Sequence, residues 1–173
     1  VSTDGQSWRL SLWHGYREMA RYNLQAGTGT LNWVDMPVYF GSRLLAEMQR
    51  TQTGATLKMF HPDHRDSVVT TQVSAGTLHA KHQSALAFGT DNTPTDQKDG
   101  NRRFTSYRRS ARTGLDYAIN RDYDPKVGRF IQPDPLGMGA FNLGDPQSLN
   151  AYAYVKNDPV NLIDPLGLMQ TAS

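Results

Sequence analysis

The chain has 173 residues, which is enough for one domain, or for one domain and part of another. Its 18 basic and 16 acidic residues give a net charge of +2, which indicates a mixed solvated surface and argues against nucleic-acid binding. The absence of cysteine excludes disulfides and thiolate metal sites, and a hydrophobic content of 38% indicates a thin core for this length.

No apolar run approaches the length of a membrane span, so no membrane-spanning helix is expected. The first residues also lack the basic and then apolar pattern of a secretory signal. We interpret the chain as a fragment whose targeting information, if it has any, lies upstream.

Alternation of apolar and polar residues predicts β-strands along most of the chain. Trp8, Leu10 and Leu12 share one face of a first strand that begins at Ser7. Further strands are predicted over 18–24, 30–45 (two short strands with a bulge), 56–61, 66–73, 78–88, 103–109, 115–123 and 129–132. Residues 46–51 are compatible with a helical turn, and 89–101 are predicted to form a long exposed loop. The pattern predicts an all-β fold.

The segment 121–168 is punctuated by Asp-Pro pairs. Five of them occur, at Asp124, Asp134, Asp145, Asp158 and Asp164. Proline fixes its own φ and disfavours a helical conformation of the preceding residue, so each pair marks a turn or a strand end. The segment is therefore predicted to be a compact, loop-rich plug with short helical turns.

This segment resembles the RHS repeat-associated core domain of bacterial RHS (YD-repeat) proteins, which is related to the C component of Tc toxins. The matching residues are Arg121, Tyr123-Asp124-Pro125, Gly128-Arg129-Phe130, Asp134-Pro135, Leu149-Asn150, Tyr152-Ala153-Tyr154, Asn157, Pro159-Val160-Asn161 and Asp164-Pro165-Leu166-Gly167-Leu168. The resemblance implies a strip of a spiralling antiparallel β-shell that ends in this plug. Residues 1–120 would then be the end of the shell, 121–168 the core, and 169–173 a remnant of a variable effector region.

The resemblance also implies autoproteolysis by two aspartates. The matching positions are Asp134 and Asp164, with Arg129 fixing a carboxylate or polarising the carbonyl, and the cut would fall between Leu168 and Met169. Two neighbouring carboxylates share a proton, so one can act as a base while the other donates. A turn through Pro165 and Gly167 would fold the chain back onto Asp164.

Each of these residues also has a structural interpretation. An aspartate before proline usually accepts a hydrogen bond from a backbone N–H two residues on. We favour that interpretation for Asp124, Asp145 and Asp158, and the resemblance alone distinguishes Asp134 and Asp164 from them.

The histidines form a weaker pattern. His61 and His64, with His79 and His82, flank a predicted hairpin at a spacing that superficially suits zinc. Residues three apart on a strand point to opposite faces, so each pair would need a bend to chelate. We predict neither a metal nor a cofactor.

The resulting hypothesis is a shell-closing RHS core that releases a C-terminal effector, absent here, by cutting itself. Its partners would be the upstream RHS repeats and the effector domain, and its location bacterial, secreted or on the cell surface. The alternative is a non-cleaving structural or adhesive module that binds a surface or carbohydrate. A hydrolase acting on other substrates is disfavoured, because no nucleophile elbow, metal helix or phosphate loop occurs. An open strip with an apolar face also predicts poor solubility of the isolated chain.

Overall fold

β-Sheet is the main secondary structure of the protein, as predicted. The computed structural model describes residues 7–74, 77–81, 85–92, 101–168 and 170–172. Within these residues the chain forms antiparallel sheets and short 3-10 turns, without a helix of seven residues or more and without a closed barrel. The described residues fall into two compact units, one with residues up to 61 and 70–81, the other with 62–69 and the residues from 85 onward.

The larger sheet is a seven-stranded meander in which each strand pairs with the next one along the chain. Its strands are β1 (Ser7–His14), β2 (Arg17–Gln25), β3 (Leu31–Phe40), β4 (Arg43–Thr51), β5 (Gly54–Pro62), β6 (Val68–Ser74) and β7 (Thr77–Lys81). The helical turn considered for 46–51 is wrong, because these residues belong to β4. Pro37 lies inside β3. The pairing of β3 with β2 ends at Asp35, so the missing N–H of Pro37 removes no hydrogen bond to β2.

One face of this sheet is apolar across five strands. The directly opposed pairs on it are Trp8 with Leu24, Leu10 with Tyr22, Tyr22 with Trp33, Met36 with Met48, and Met48 with Leu57. Several of these side chains are exposed, among them Trp8 at 51% and Leu10 at 43%. This face is the physical basis for the expected poor solubility of the isolated chain.

The opposite face carries a buried ion pair. Arg21 of β2 lies directly across from Asp35 of β3, and its Nε donates to both carboxylate oxygens of Asp35 at 2.9 and 3.0 Å. Asp35 is only 1% exposed. Burial of two charges is tolerated here because the contact is direct and bidentate.

The second unit is built around packed aromatic rings. Its short strands β8 (Asn101–Arg102), β9 (Arg108–Arg109), β10 (Asp116–Tyr117), β11 (Asp122–Asp124) and β12 (Arg129–Phe130) form a five-stranded sheet. Tyr123 of β11 is fully buried, and its ring centroid lies 4.8 Å from that of Tyr154 and 5.8 Å from that of Phe104. Rings at these distances stabilise a small core efficiently.

Two strands predicted as continuous are interrupted in this unit. The one over 103–109 is broken by a 3-10 turn, Phe104–Ser106, and the one over 115–123 by a turn at 118–121. In the second turn Ile119 has a φ of 67°, which a β-branched residue rarely adopts. The strand propensity of isoleucine therefore does not predict this turn. Further turns are Gly137–Ala140, Pro146–Leu149 and Val155–Asn157, and β13 (Leu162–Ile163) pairs with β14 (Thr171–Ala172) near the end of the chain.

Several earlier expectations fall on undescribed residues. Residues 82–84 of the strand predicted over 78–88, and 93–100 of the predicted loop, lie outside the described part of the chain. The predicted division at residue 120 between shell and core stays a prediction.

Replacement of Asp35 by alanine is expected to lower the free energy of unfolding by about 3–5 kcal/mol, because Arg21 keeps its buried charge but loses this carboxylate. Urea unfolding of the chain measures the difference. The matched control is Asn32→Ala, which removes a hydrogen bond from the Arg50 guanidinium on an exposed part of the same sheet. The control should change stability by no more than about 0.5 kcal/mol. A loss below about 1 kcal/mol for Asp35→Ala would show that the buried pair does not stabilise the sheet.

Alkaline pH is expected to destabilise the second unit. Burial raises the pKa of Tyr107, Tyr123 and Tyr154 above the ordinary value for a phenol. Above pH about 10 the unfolded chain therefore releases protons that the folded chain retains, and the free energy of unfolding falls as pH rises. Urea midpoints between pH 8 and 11 measure this fall. Tyr123→Phe should flatten the pH dependence, whereas Tyr16→Phe, at an exposed position, should leave it unchanged; equal slopes for both variants would contradict the prediction.

Candidate active site

The guanidinium of Arg121 contacts both of the aspartates that the family resemblance indicates as catalytic. Its Nη2 atom lies 3.2 Å from Oδ2 of Asp134 and 3.3 Å from Oδ2 of Asp164. The three side chains are buried, with 3%, 9% and 4% of their surface exposed. The fold thus brings together two carboxylates that are far apart in sequence, and the cation between them offsets their mutual repulsion.

Arg121 is held in one orientation by its other contacts. Its Nε donates to the carbonyl oxygen of Gly167 at 2.6 Å, and its Nη1 donates to that of Ala151 at 3.0 Å. The guanidinium carbon lies 3.7 Å from the ring centroid of Phe130, which places the cation over the aromatic face. A planar group with donors in a fixed fork is suited to such a position, and a lysine would not replace it.

The Asp164 turn folds the following residues back onto the carboxylate. Oδ1 of Asp164 accepts a hydrogen bond from the backbone N–H of Leu168 at 2.9 Å. Asn120 also stabilises this turn, because its side-chain amide and its backbone N–H both donate to the carbonyl oxygen of Leu166. The hydroxyl of Tyr107 donates to the carbonyl oxygen of Asp164 from the aromatic core below. The turn is therefore fixed at both ends.

Glycine is required at position 167 for two reasons. Its φ is +67°, a conformation that L side chains rarely adopt. A Cβ at this position would also lie 2.8 Å from the carbonyl oxygen of Ala118. The Asp164 turn thus packs directly on the backbone of the turn that carries Arg121.

Asp134 also forms its own turn. Its Oδ1 accepts a hydrogen bond from the backbone N–H of Leu136 at 2.9 Å. Asp124 and Asp145 make the same contact with the residue two positions on. Asp134 and Asp164 differ from these aspartates in their contact with the buried Arg121.

The structure brings together two of the three catalytic residues that the family resemblance implies. Asp134 and Asp164 meet at one guanidinium, and Leu168 lies next to Asp164, whereas Met169 lies outside the described residues. Arg129 is exposed in β12, where it is paired with Asp124 across the strands. The arginine that contacts both carboxylates is Arg121.

No catalytic role was expected for Arg121 from the sequence, although this residue begins the motif that carries the family resemblance. A continuous strand over 115–123 would place it as an ordinary strand residue. The turn at 118–121 and the packing of Gly167 against it decide its position. Asn120, a residue that favours turns, is the one local signal of this break.

A cleft of about 290 Å³ opens beside the two carboxylates. Arg121, Asp134, Asp164 and Leu168 contribute to its wall, which continues to Gln170. The carboxylates are thus buried at one side of a space large enough for water and a short stretch of chain.

The structure describes only part of the histidine pattern. His64 lies with its Nε2 3.3 Å from the carbonyl oxygen of Val160. The side chain of His79 and all of His82 lie outside the described part of the structure. In the described part, no group of three or more histidine, aspartate or glutamate residues is placed to hold a metal ion.

The chain is similar to several bacterial proteins whose names describe toxins or nucleases. It is 31% identical over 119 residues to a probable deoxyribonuclease RhsB of Dickeya dadantii, which covers 68% of the chain. It is 40% identical over 67 residues, 39% of the chain, to the toxin protein Tse5 of Pseudomonas aeruginosa. It is 42% identical over 66 residues, 38% of the chain, to the double-stranded DNA deaminase toxin A of Burkholderia cenocepacia.

The chain is related to Rhs-type toxin proteins. It spans only 7%, 5% and 4% of the lengths of these three relatives. No family model matches it. Among its described residues, no helix is both long enough and apolar enough to cross a membrane.

Replacement of Gly167 by alanine is expected to displace the Asp164 turn, because the new methyl group meets the carbonyl of Ala118 and the positive φ is strained. The strain alone costs about 1–2 kcal/mol. The matched control is Gly137→Ala, which has a similar φ of +53° but nothing within 4 Å of the new Cβ. Urea unfolding should show a greater loss of stability for Gly167→Ala than for Gly137→Ala. Equal losses would show that the close packing of the two turns contributes nothing.

Proposed function

We propose that this chain is the shell-closing core of an RHS-type polypeptide and that it cuts its own backbone after Leu168. The observation that carries the proposal is the contact of one buried guanidinium with Asp134, with Asp164 and with the carbonyl of Gly167, one residue before the proposed bond. The cut would release the effector that follows.

The chemistry is the hydrolysis of one peptide bond. One of the two carboxylates takes a proton from a water molecule in the cleft, and the oxygen of that water adds to the carbonyl carbon of Leu168. The bond from this carbon to the nitrogen of Met169 breaks, and the nitrogen receives the proton that the carboxylate had taken from the water. The products are a carboxyl group on Leu168 and a free amine on Met169.

The roles of the residues follow from their contacts. Asp164 holds the amide of Leu168 and so fixes the residue that carries the scissile carbonyl. Asp134 contacts Arg121 and the backbone N–H of Leu136, and its carboxylate borders the cleft. We assign the general base to Asp134 and the positioning of the turn to Arg121, in the place where the family resemblance suggested Arg129.

The relatives support a module that is separate from the toxic activity. Their names give different activities, a deoxyribonuclease in one and a DNA deaminase in another, yet each contains a short region that is similar to part of this chain. A region shared by proteins of different activities fits a common device for closure and release. Its partners would be preceding RHS repeats and a following effector, and its location secreted or at the bacterial surface.

Autoproteolysis is tested by the intact mass of the purified chain after denaturation, which frees any retained peptide. The chain is expected to lose residues 169–173, and Asp134→Asn and Asp164→Asn are expected to slow the cut by about 10²–10⁴-fold. Arg121→Lys is expected to slow it as well, because one ammonium cannot replace the fork of donors.

Asp124→Asn is the matched control, since Asp124 also precedes a proline and bonds the residue two positions on. This variant and Arg129→Gln, at an exposed arginine, should cut at the normal rate. If the chain stays whole, the measurement is repeated with the preceding repeats attached. A longer polypeptide that also stays whole would contradict the proposal and favour a non-cleaving structural or adhesive plug.

A further inference from the structure

The residues after the proposed cut form a strand against the residues before it. In β14, Ala172 is paired with Leu162, and Thr171 with Ile163 of β13, in an antiparallel arrangement. The strand β13 leads directly into Asp164, and β14 begins three residues beyond Leu168. The two strands therefore close the loop that contains Asp164 and the proposed scissile bond.

The two strands are supported differently. Ile163 is buried, with 7% of its surface exposed, and Leu162 packs against the aromatic core of the second unit. The preceding strand is thus fixed by side-chain packing. The pairing with β14 is a main-chain contact, which depends little on the identity of the paired side chains.

We propose, on the basis of the proposed autoproteolysis, that the edge of β13 is a docking site for the first residues of the segment that follows the cut. The ligand is an extended stretch of the same polypeptide of nearly any sequence, provided that its amide can donate. Docking holds the chain on both sides of the bond, so that Leu168 stays next to Asp164, whose carboxylate accepts its N–H.

A site that recognises main chain can serve segments of different sequence without a change in its own residues. A ladder of two residues supplies few hydrogen bonds, and each contributes only modestly in water, so the segment is positioned before the cut and leaves readily after it. The edge of β13 thus recognises the effector side of the bond through its backbone.

Proline substitutions test the docking site. Successive residues of an antiparallel strand alternate between hydrogen-bonded and non-hydrogen-bonded positions. One of Thr171→Pro and Ala172→Pro therefore removes an N–H that donates to β13, while the other removes an N–H that points away from β13. One variant is expected to slow the cut by tenfold or more and the other by less. Thr171→Val and Ala172→Val keep the N–H and should cut at the normal rate.

A second measurement does not require cleavage. In the Asp134→Asn chain, hydrogen exchange is expected to show protected backbone amides in β13 and β14, and the disruptive proline should abolish this protection without changing the urea midpoint of the chain. Unprotected amides, or equal cutting rates for both proline variants and the valine controls, would overturn the proposal. If neither the unsubstituted chain nor the longer polypeptide with the preceding repeats cuts, even though exchange shows the pairing, the proposed function fails and the positioning role fails with it.

Discussion

The second unit depends on a positive charge that is almost completely removed from water. A buried guanidinium is stable only when acceptors surround it, because the cost of desolvation must be offset by direct contacts. Arg121 finds two carboxylates, two backbone carbonyls and an aromatic face. These partners come from the Asp134 turn, the Asp164 turn, the chain near Ala151 and strand β12. A single side chain therefore fixes the relative positions of segments that have little regular structure of their own.

The same constraint explains why the plug needs its turns. Each Asp-Pro pair ends a segment and leaves a carboxylate that caps a neighbouring N–H, as in Asp134 with Leu136. Gly167 lets the Asp164 turn lie directly on the turn before Arg121. The packed aromatic rings of Phe104, Tyr123, Phe130 and Tyr154 add further stability.

Much of the fold could be predicted from the sequence. Alternation predicted the strands of the large sheet, and Gly and Asp-Pro signals predicted the turns, because these patterns express local preferences. The pairing of Asp134 with Asp164 followed from the family resemblance. The role of Arg121 could not be predicted, because it depends on the break of a strand at Ile119 and on a contact with Gly167, 46 residues away. Such contacts are set by tertiary packing.

The most direct test of the account is to follow the cut in water enriched in ¹⁸O. If Asp134 and Asp164 direct a water molecule to the carbonyl of Leu168, the new C-terminal carboxyl group of Leu168 will carry one heavy oxygen, and the peptide that begins at Met169 will carry none. A cut at another bond, or a Leu168 carboxyl group without the label, would contradict hydrolysis at this site.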